Sequence, residues 1–163
     1  MFIPQKSKAD FLCGLRQGIP IALGYISVSF GFGIAAANAG LSPWLALLLS
    51  MTNLTSAGQV AGLSIVVTGG SYIEMAIAEL VINLRYSLMS LSLSQKADKS
   101  LTVPHRLVTA FGITDEIFAV AAGRPGEVSR QFLYGLILLP FLGWSAGTLL
   151  GGIAGNILPP RLC

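Results

Sequence analysis

Ser50-Met51-Thr52-Asn53-Leu54-Thr55-Ser56-Ala57-Gly58-Gln59 is the stretch on which the fold turns. It sits inside a run, from Gln17 to Ile73, that contains no Asp, Glu, Lys or Arg. A membrane-spanning helix needs roughly 20 consecutive apolar residues, so the run holds about two crossings' worth of chain. The polar decad falls where a second crossing would carry Leu and Val. Non-helical backbone at membrane depth is tolerated only where it is buried in protein or lines a wet cavity. The patch therefore marks either a helix broken at such a place, or a plain span whose polar side chains bond to neighbouring helices.

Composition agrees with a membrane setting. Of 163 residues 53% are hydrophobic and only 10% charged, with a mean hydropathy of +0.74. A soluble domain carries about 25% charged residues. The fold class is all-α: a polytopic integral membrane protein of about four spans plus a broken or re-entrant helical segment. The net charge of +3 reads as a topology signal. No basic stripe with interleaved aromatics is present, so no nucleic-acid partner is expected. Cys13 and Cys163 are lone thiols without a CxxC, and the single histidine, His105, falls in a polar loop and reads as solvated. No HExxH, P-loop or GxSxG occurs, so no enzyme, no metal site and no cofactor are expected. Lys6, Lys8 and Arg16 followed by apolar chain and by Ala35 to Ala39 have the outline of a signal peptide. The apolar part, Gly18 to Ile34, exceeds the roughly 7–15 residues of such a core, and it reads as the first span.

The rest of the chain divides as follows. Residues 1–16 are a basic lead-in, and span one runs from about Gly18 to Ala37. Ser42 can cap a following helix whose first position suits Pro43, with Trp44 at an interface. Leu45 to Met51 and Val60 to Val67 are short apolar helices on either side of the polar patch. Tyr72 to Leu93 is a span interrupted by Glu74, Glu79, Asn83 and Arg85; Glu74, near the helix start, reads as solvated. Residues 94–106 form a polar loop, a helix runs from Pro104 to about Ala122, and Phe132 to Ile157 is the last span, stopped by Leu158-Pro159-Pro160. The whole chain, 1–163, is one transmembrane domain.

Basic clusters favour the cytoplasmic face. Residues 1–16 and the loop at 94–106, with Lys96, Lys99 and Arg106, share that face only if the segment at 41–67 enters and leaves on one side. A full crossing would separate them. Arg16-Gln17 opens the first span and Arg130-Gln131 the last, and both spans end in a Leu- and Pro-containing turn. In opposite directions these two spans would form an inverted repeat of the kind found in secondary transporters.

Glu79, Arg85, Asp115 and Glu116 fall within apolar helices. Each charge at mid-bilayer costs ~2.5–3.5 kcal/mol, so these groups must pair, face water or be neutral. Arginine stays charged. Glu79 and Asn83 share a helix face four residues apart, whereas Arg85 points well away from Glu79; its partner should be Asp115 or Glu116. Carboxylates beside an arginine in low dielectric can relay protons or ions, or serve only as a packing ion pair. Thr52, Asn53, Gln59, Glu79, Asn83, Arg85, Asp115 and Glu116 are thus the candidate substrate and ion pathway. Gly143, Gly147, Gly151 and Gly155 form a smooth stripe that reads as a helix-packing face. Ser27, Gly31 and Ala35 make a similar stripe on the first span, and Pro140 is placed to kink the last.

Asn83-Leu84-Arg85, Thr114-Asp115-Glu116, Trp144-x-x-Gly147-Thr148, the Gly40 to Pro43 turn and the patch from Thr55 to Gln59 together resemble the AzlC family of branched-chain amino-acid permeases. The resemblance covers about Gly14 to Pro159. It implies a multi-pass protein of the bacterial inner membrane that exports branched-chain amino acids, driven by an ion gradient. It also implies a small membrane partner of the AzlD type, with the Asn83 to Arg85 and Asp115-Glu116 motifs in the polar core. Members of the family usually continue with further hydrophobic helices past the position where this chain stops, so it reads as C-terminally truncated. Two functions follow: an amino-acid export subunit, with lipid, substrate and the small subunit as partners, or a truncated, non-transporting structural or regulatory membrane subunit.

Overall fold

The computed structural model describes residues 4–157. The stop at Leu158-Pro159-Pro160 and the second cysteine, Cys163, lie outside the described residues. Among the described residues seven helices follow one another: α1 (Pro4–Asn38), α2 (Pro43–Thr52), α3 (Ser56–Val67), α4 (Tyr72–Ser94), α5 (Val103–Phe111), α6 (Asp115–Gly123) and α7 (Arg130–Ile157). Against the about four spans expected, three helices among the described residues are long and apolar enough to cross a membrane: Ser7–Asn38, Tyr72–Ser94 and Arg130–Ile157.

Local chemistry explains the boundaries. Ser42 caps α2, its Oγ accepting from the Leu45 N–H at 3.3 Å, and Pro43 occupies the first turn. α2 ends at Thr52, the chain is extended through Asn53, Leu54 and Thr55, and Thr55 caps α3 by accepting from the Gly58 N–H at 3.4 Å. Gly69 takes φ +71 in the turn to α4, a conformation open to glycine but strained for other residues. The basic lead-in is not a separate segment: α1 starts at Pro4 and runs unbroken through Pro20.

The helix expected from Pro104 to about Ala122 is two helices. α5 ends at Phe111, and Gly112, Ile113 and Thr114 are non-helical and buried. Thr114, extended at φ −116 and ψ 175, starts α6 with Asp115 and Glu116 in its first turn. Acidic residues there suit the positive end of a helix dipole. Gly112 lies against the Ile137 side chain, where a Cβ would collide with it.

The chain forms two compact units. Unit 1 comprises residues 4–23 and 85–141: the first part of α1, the end of α4, α5, α6 and most of α7. Its core holds Leu93, Leu101, Ile113, Ile117, Ala121, Val128, Phe132, Leu133 and Leu136. α1 and α7 meet through glycine here, since a Cβ at Gly14 or Gly135 would strike the opposite backbone. Unit 2 comprises residues 24–84 and 142–157, including all of α2 and α3. Phe32, Ala36 and Ala46 form its buried apolar cluster. Gly147, Gly151 and Gly155 of α7 lie directly against α1, and Gly143 is buried. The matching face of α1 carries Ser29, Phe32, Gly33 and Ala36, all buried. The Ser27, Gly31, Ala35 stripe is instead exposed, and nothing stands within 4 Å of a Cβ built at Gly31.

Candidate substrate site in unit 2

Gln59 is the centre of the site. Its position in the first turn of α3 sends a 5%-exposed amide into the unit. Nε2 donates to Ser50 Oγ on α2 at 2.9 Å, and Oε1 accepts from Trp144 Nε1 on α7 at 3.0 Å. Ser50 Oγ lies 2.7 Å from Thr148 Oγ1, also on α7. Trp144 stacks edge-on against Tyr25 of α1, with ring centroids 5.3 Å apart. The broken helix is thus tied to α7 by buried polar bonds. Such bonds satisfy the polar side chains that a helix break brings into an apolar interior.

Glu79 comes from α4. Asn83 Nδ2 donates to its Oε2 at 2.7 Å, while Asn83 Oδ1 is buried with no partner. The carboxylate lies over Gly58 in the first turn of α3, and a Cβ on that residue would run into both carboxylate oxygens. Glycine therefore lets a negative charge approach the positive end of α3, an arrangement worth up to about 2 kcal/mol where partly buried. Beside it opens a cavity of about 150 Å³. Asn53, Gln59 and Glu79 supply its polar groups, and Phe32, Leu41, Leu49, Leu63, Val66 and Met75 its apolar wall.

The predicted site residues do not all meet. Thr52 is exposed and spends its hydroxyl on the Leu48 carbonyl of its own helix at 2.8 Å. Arg85 and Asp115 belong to unit 1, where Arg85 Nη1 and Asp115 Oδ2 form the expected ion pair at 2.8 Å, with 44% and 43% of the side chains exposed. Arg85 also donates to the Tyr86 hydroxyl at 3.1 Å. Glu116 is exposed on α6. A larger cavity in unit 1, about 370 Å³, is lined by none of the predicted pathway residues. His105 is not in a solvated loop. It lies on α5, half-buried, with Nδ1 2.7 Å from the Tyr134 hydroxyl and Nε2 2.7 Å from Arg130 Nη1. Among the described residues no cluster of His, Cys, Asp and Glu is arranged to hold a metal ion.

Two members of the network escape a reading of polar residues alone. The sequence offers Trp144 and Thr148 only as part of the Trp144-x-x-Gly147-Thr148 motif, with no sign that they bond to Gln59 and Ser50. Their four-residue spacing on α7, and the eight to nine residues between Ser50 and Gln59 across a break, are the signals that could have joined them.

Comparison with known proteins gives this geometry a family. The model of the AzlC protein family matches residues 20–158. An uncharacterized membrane protein of Archaeoglobus fulgidus is 36% identical over 92% of this chain and 65% of its own length. The inner membrane protein YgaZ of Escherichia coli is 27% identical over 94% of this chain and 64% of its own. The branched-chain amino acid transport protein AzlC of Bacillus subtilis is 25% identical over 91% of this chain and 59% of its own. The chain thus spans less than two thirds of the length of these relatives. No solved structure matches it significantly. With the match to the family model covering most of its length, this membrane protein belongs to the AzlC family.

Proposed function

We propose that the chain is a transporter subunit that exports branched-chain amino acids across the bacterial inner membrane, driven by an ion gradient and working with a small AzlD-type subunit. The unit 2 cavity carries this reading, because it offers an amino acid what each of its parts needs. The apolar wall of Phe32, Leu41, Leu49, Leu63, Val66 and Met75 suits a branched side chain. The N-terminal end of α3, whose Gly58 N–H is taken by the Thr55 cap, would turn its Ser56 and Ala57 N–H groups and its dipole towards an α-carboxylate, as half-helix ends do in transporters. Glu79 suits the ammonium group. Asn53 and the orphaned Asn83 Oδ1 offer further acceptors beside it. In this reading α2 and α3 form a re-entrant hairpin, and their polar break is the binding site.

Glu79 also suits the coupling proton or cation, since a carboxylate within a membrane helix carries a cost that occupancy removes. Asp115 and Glu116 would serve the same purpose in unit 1. The similarity to the Bacillus subtilis protein, named for branched-chain amino acid transport, supports the substrate class.

The test is efflux of labelled leucine, isoleucine, valine and methionine from preloaded cells that carry or lack the gene, with and without a co-expressed small subunit. Faster efflux with the gene, lost in Glu79→Gln, is the expected result. Equal efflux from cells shown to contain the inserted protein overturns the assignment. Unchanged efflux in Asp115→Asn/Glu116→Gln removes these two residues from the coupling step.

A further inference from the structure

The α5–α6 segment repeats the architecture of α2–α3. Each is a pair of short helices around a three-residue break, residues 53–55 and 112–114. At a constant offset of 59 residues (50 to 109, 54 to 113, 55 to 114), Ser50 corresponds to Thr109, Leu54 to Ile113 and Thr55 to Thr114. All six are buried. Both threonines are extended residues that start the second helix.

The ends of α5–α6 meet. Lys96, before α5, donates from Nζ to the carbonyls of Ala122 and Arg124, at and after the end of α6, at 2.6 Å each. The Asp98 N–H donates to the Val128 carbonyl at 3.1 Å, and the Val128 N–H to the Lys96 carbonyl at 2.7 Å. The segment therefore returns to where it began. With nine residues each, α5 and α6 are about 14 Å long, too short to cross a core of about 30 Å singly.

Charge gives the side. Every Lys and Arg among the described residues lies in unit 1, while unit 2 contains only the acids Glu74 and Glu79. If α5–α6 crossed the membrane, Lys96 and Lys99 would be separated from Arg124 and Arg130. If it returns, all four share a face with Lys8 and Arg16, as the bias of basic residues towards the cytoplasm requires. The half-exposed Arg85–Asp115 pair beside the break then needs water or protein around it rather than lipid.

We infer that α5–α6 is a second re-entrant hairpin, entering from the cytoplasmic face. The hairpin follows from contacts within unit 1 alone; its part in transport rests on the reading proposed above.

Single cysteines in a Cys13→Ser/Cys163→Ser background test the inference, labelled with an impermeant maleimide in right-side-out and inverted vesicles. Lys99→Cys and Glu127→Cys should both label from the cytoplasmic side, with Gln95→Cys and Pro125→Cys as alternates should either variant fail to accumulate. Labelling of positions 99 and 127 from opposite faces, or of both from outside, overturns the hairpin. Asn38→Cys and Tyr72→Cys probe α2–α3 separately: both should label from outside, and their separation onto two faces removes the first hairpin while leaving the second.

Discussion

Gln59 is the residue on which most of the unit 2 network depends. Replacement by leucine keeps the bulk but leaves the indole N–H of Trp144 without an acceptor and takes a donor from Ser50. Orphaning buried polar groups costs about 1–3 kcal/mol. Gln59→Leu should therefore lower the thermal stability of the purified protein in detergent, and a melting curve reads this directly. Glu79→Gln is the contrasting change. It preserves the hydrogen-bonding shape beside Asn83 and removes only the charge, so stability should fall by no more than the up to about 2 kcal/mol of the α3 dipole contact while amino-acid binding falls. Gly58→Ala should weaken binding as well, because its methyl would displace the Glu79 carboxylate; equilibrium binding of labelled leucine to purified protein measures both.

At the scale of the element, glycine decides how closely helices approach. Gly151 lies against the backbone of α1 at Phe30, whereas Gly31 faces open space. Gly151→Ala should destabilise the protein, while Gly31→Ala should be neutral or stabilise it by up to about 1 kcal/mol, the helix preference of alanine over glycine. Melting curves of the two variants check the contrast, and equal behaviour would contradict the contact. Thr55→Ala should cost about 0.5–2 kcal/mol through loss of the α3 cap, checked in the same way. The helix breaks were unequally legible. Six polar residues and a glycine, between Ser50 and Gln59 in an uncharged run, expose the first one. The second hides in Phe111-Gly112-Ile113-Thr114-Asp115, where one glycine and one threonine look like tolerated members of a helix. Only the structure shows that Thr114, extended at the N-cap position and followed by two acids, begins a new helix there.

For the whole molecule, the apolar run, three of the about four spans expected and a partner for Arg85 at Asp115 or Glu116 could be read from charge and spacing, because unpaired charges are expensive in lipid. The division into two units could not. It depends on which residues of α1 and α7 meet, and a helix with glycine on several faces leaves that open. The same ambiguity explains why the stripe through Gly31 looked like a contact face. The pairing of Lys96 with the end of α6 was hidden for another reason: a lysine in a polar loop has no sequence mark that separates a solvated side chain from one bonded to two carbonyls.

The central claim is that the polar break between α2 and α3, with Glu79 beside it, is where a branched-chain amino acid binds. Leucine efflux from preloaded cells, compared for the unaltered chain, Glu79→Gln and the outward-facing Gly31→Ala at matched membrane levels, tests it most directly. The account predicts gene-dependent efflux that is retained in Gly31→Ala and reduced at least about tenfold in Glu79→Gln, the loss expected for about 1.4 kcal/mol of binding energy. Undiminished efflux in Glu79→Gln would contradict it.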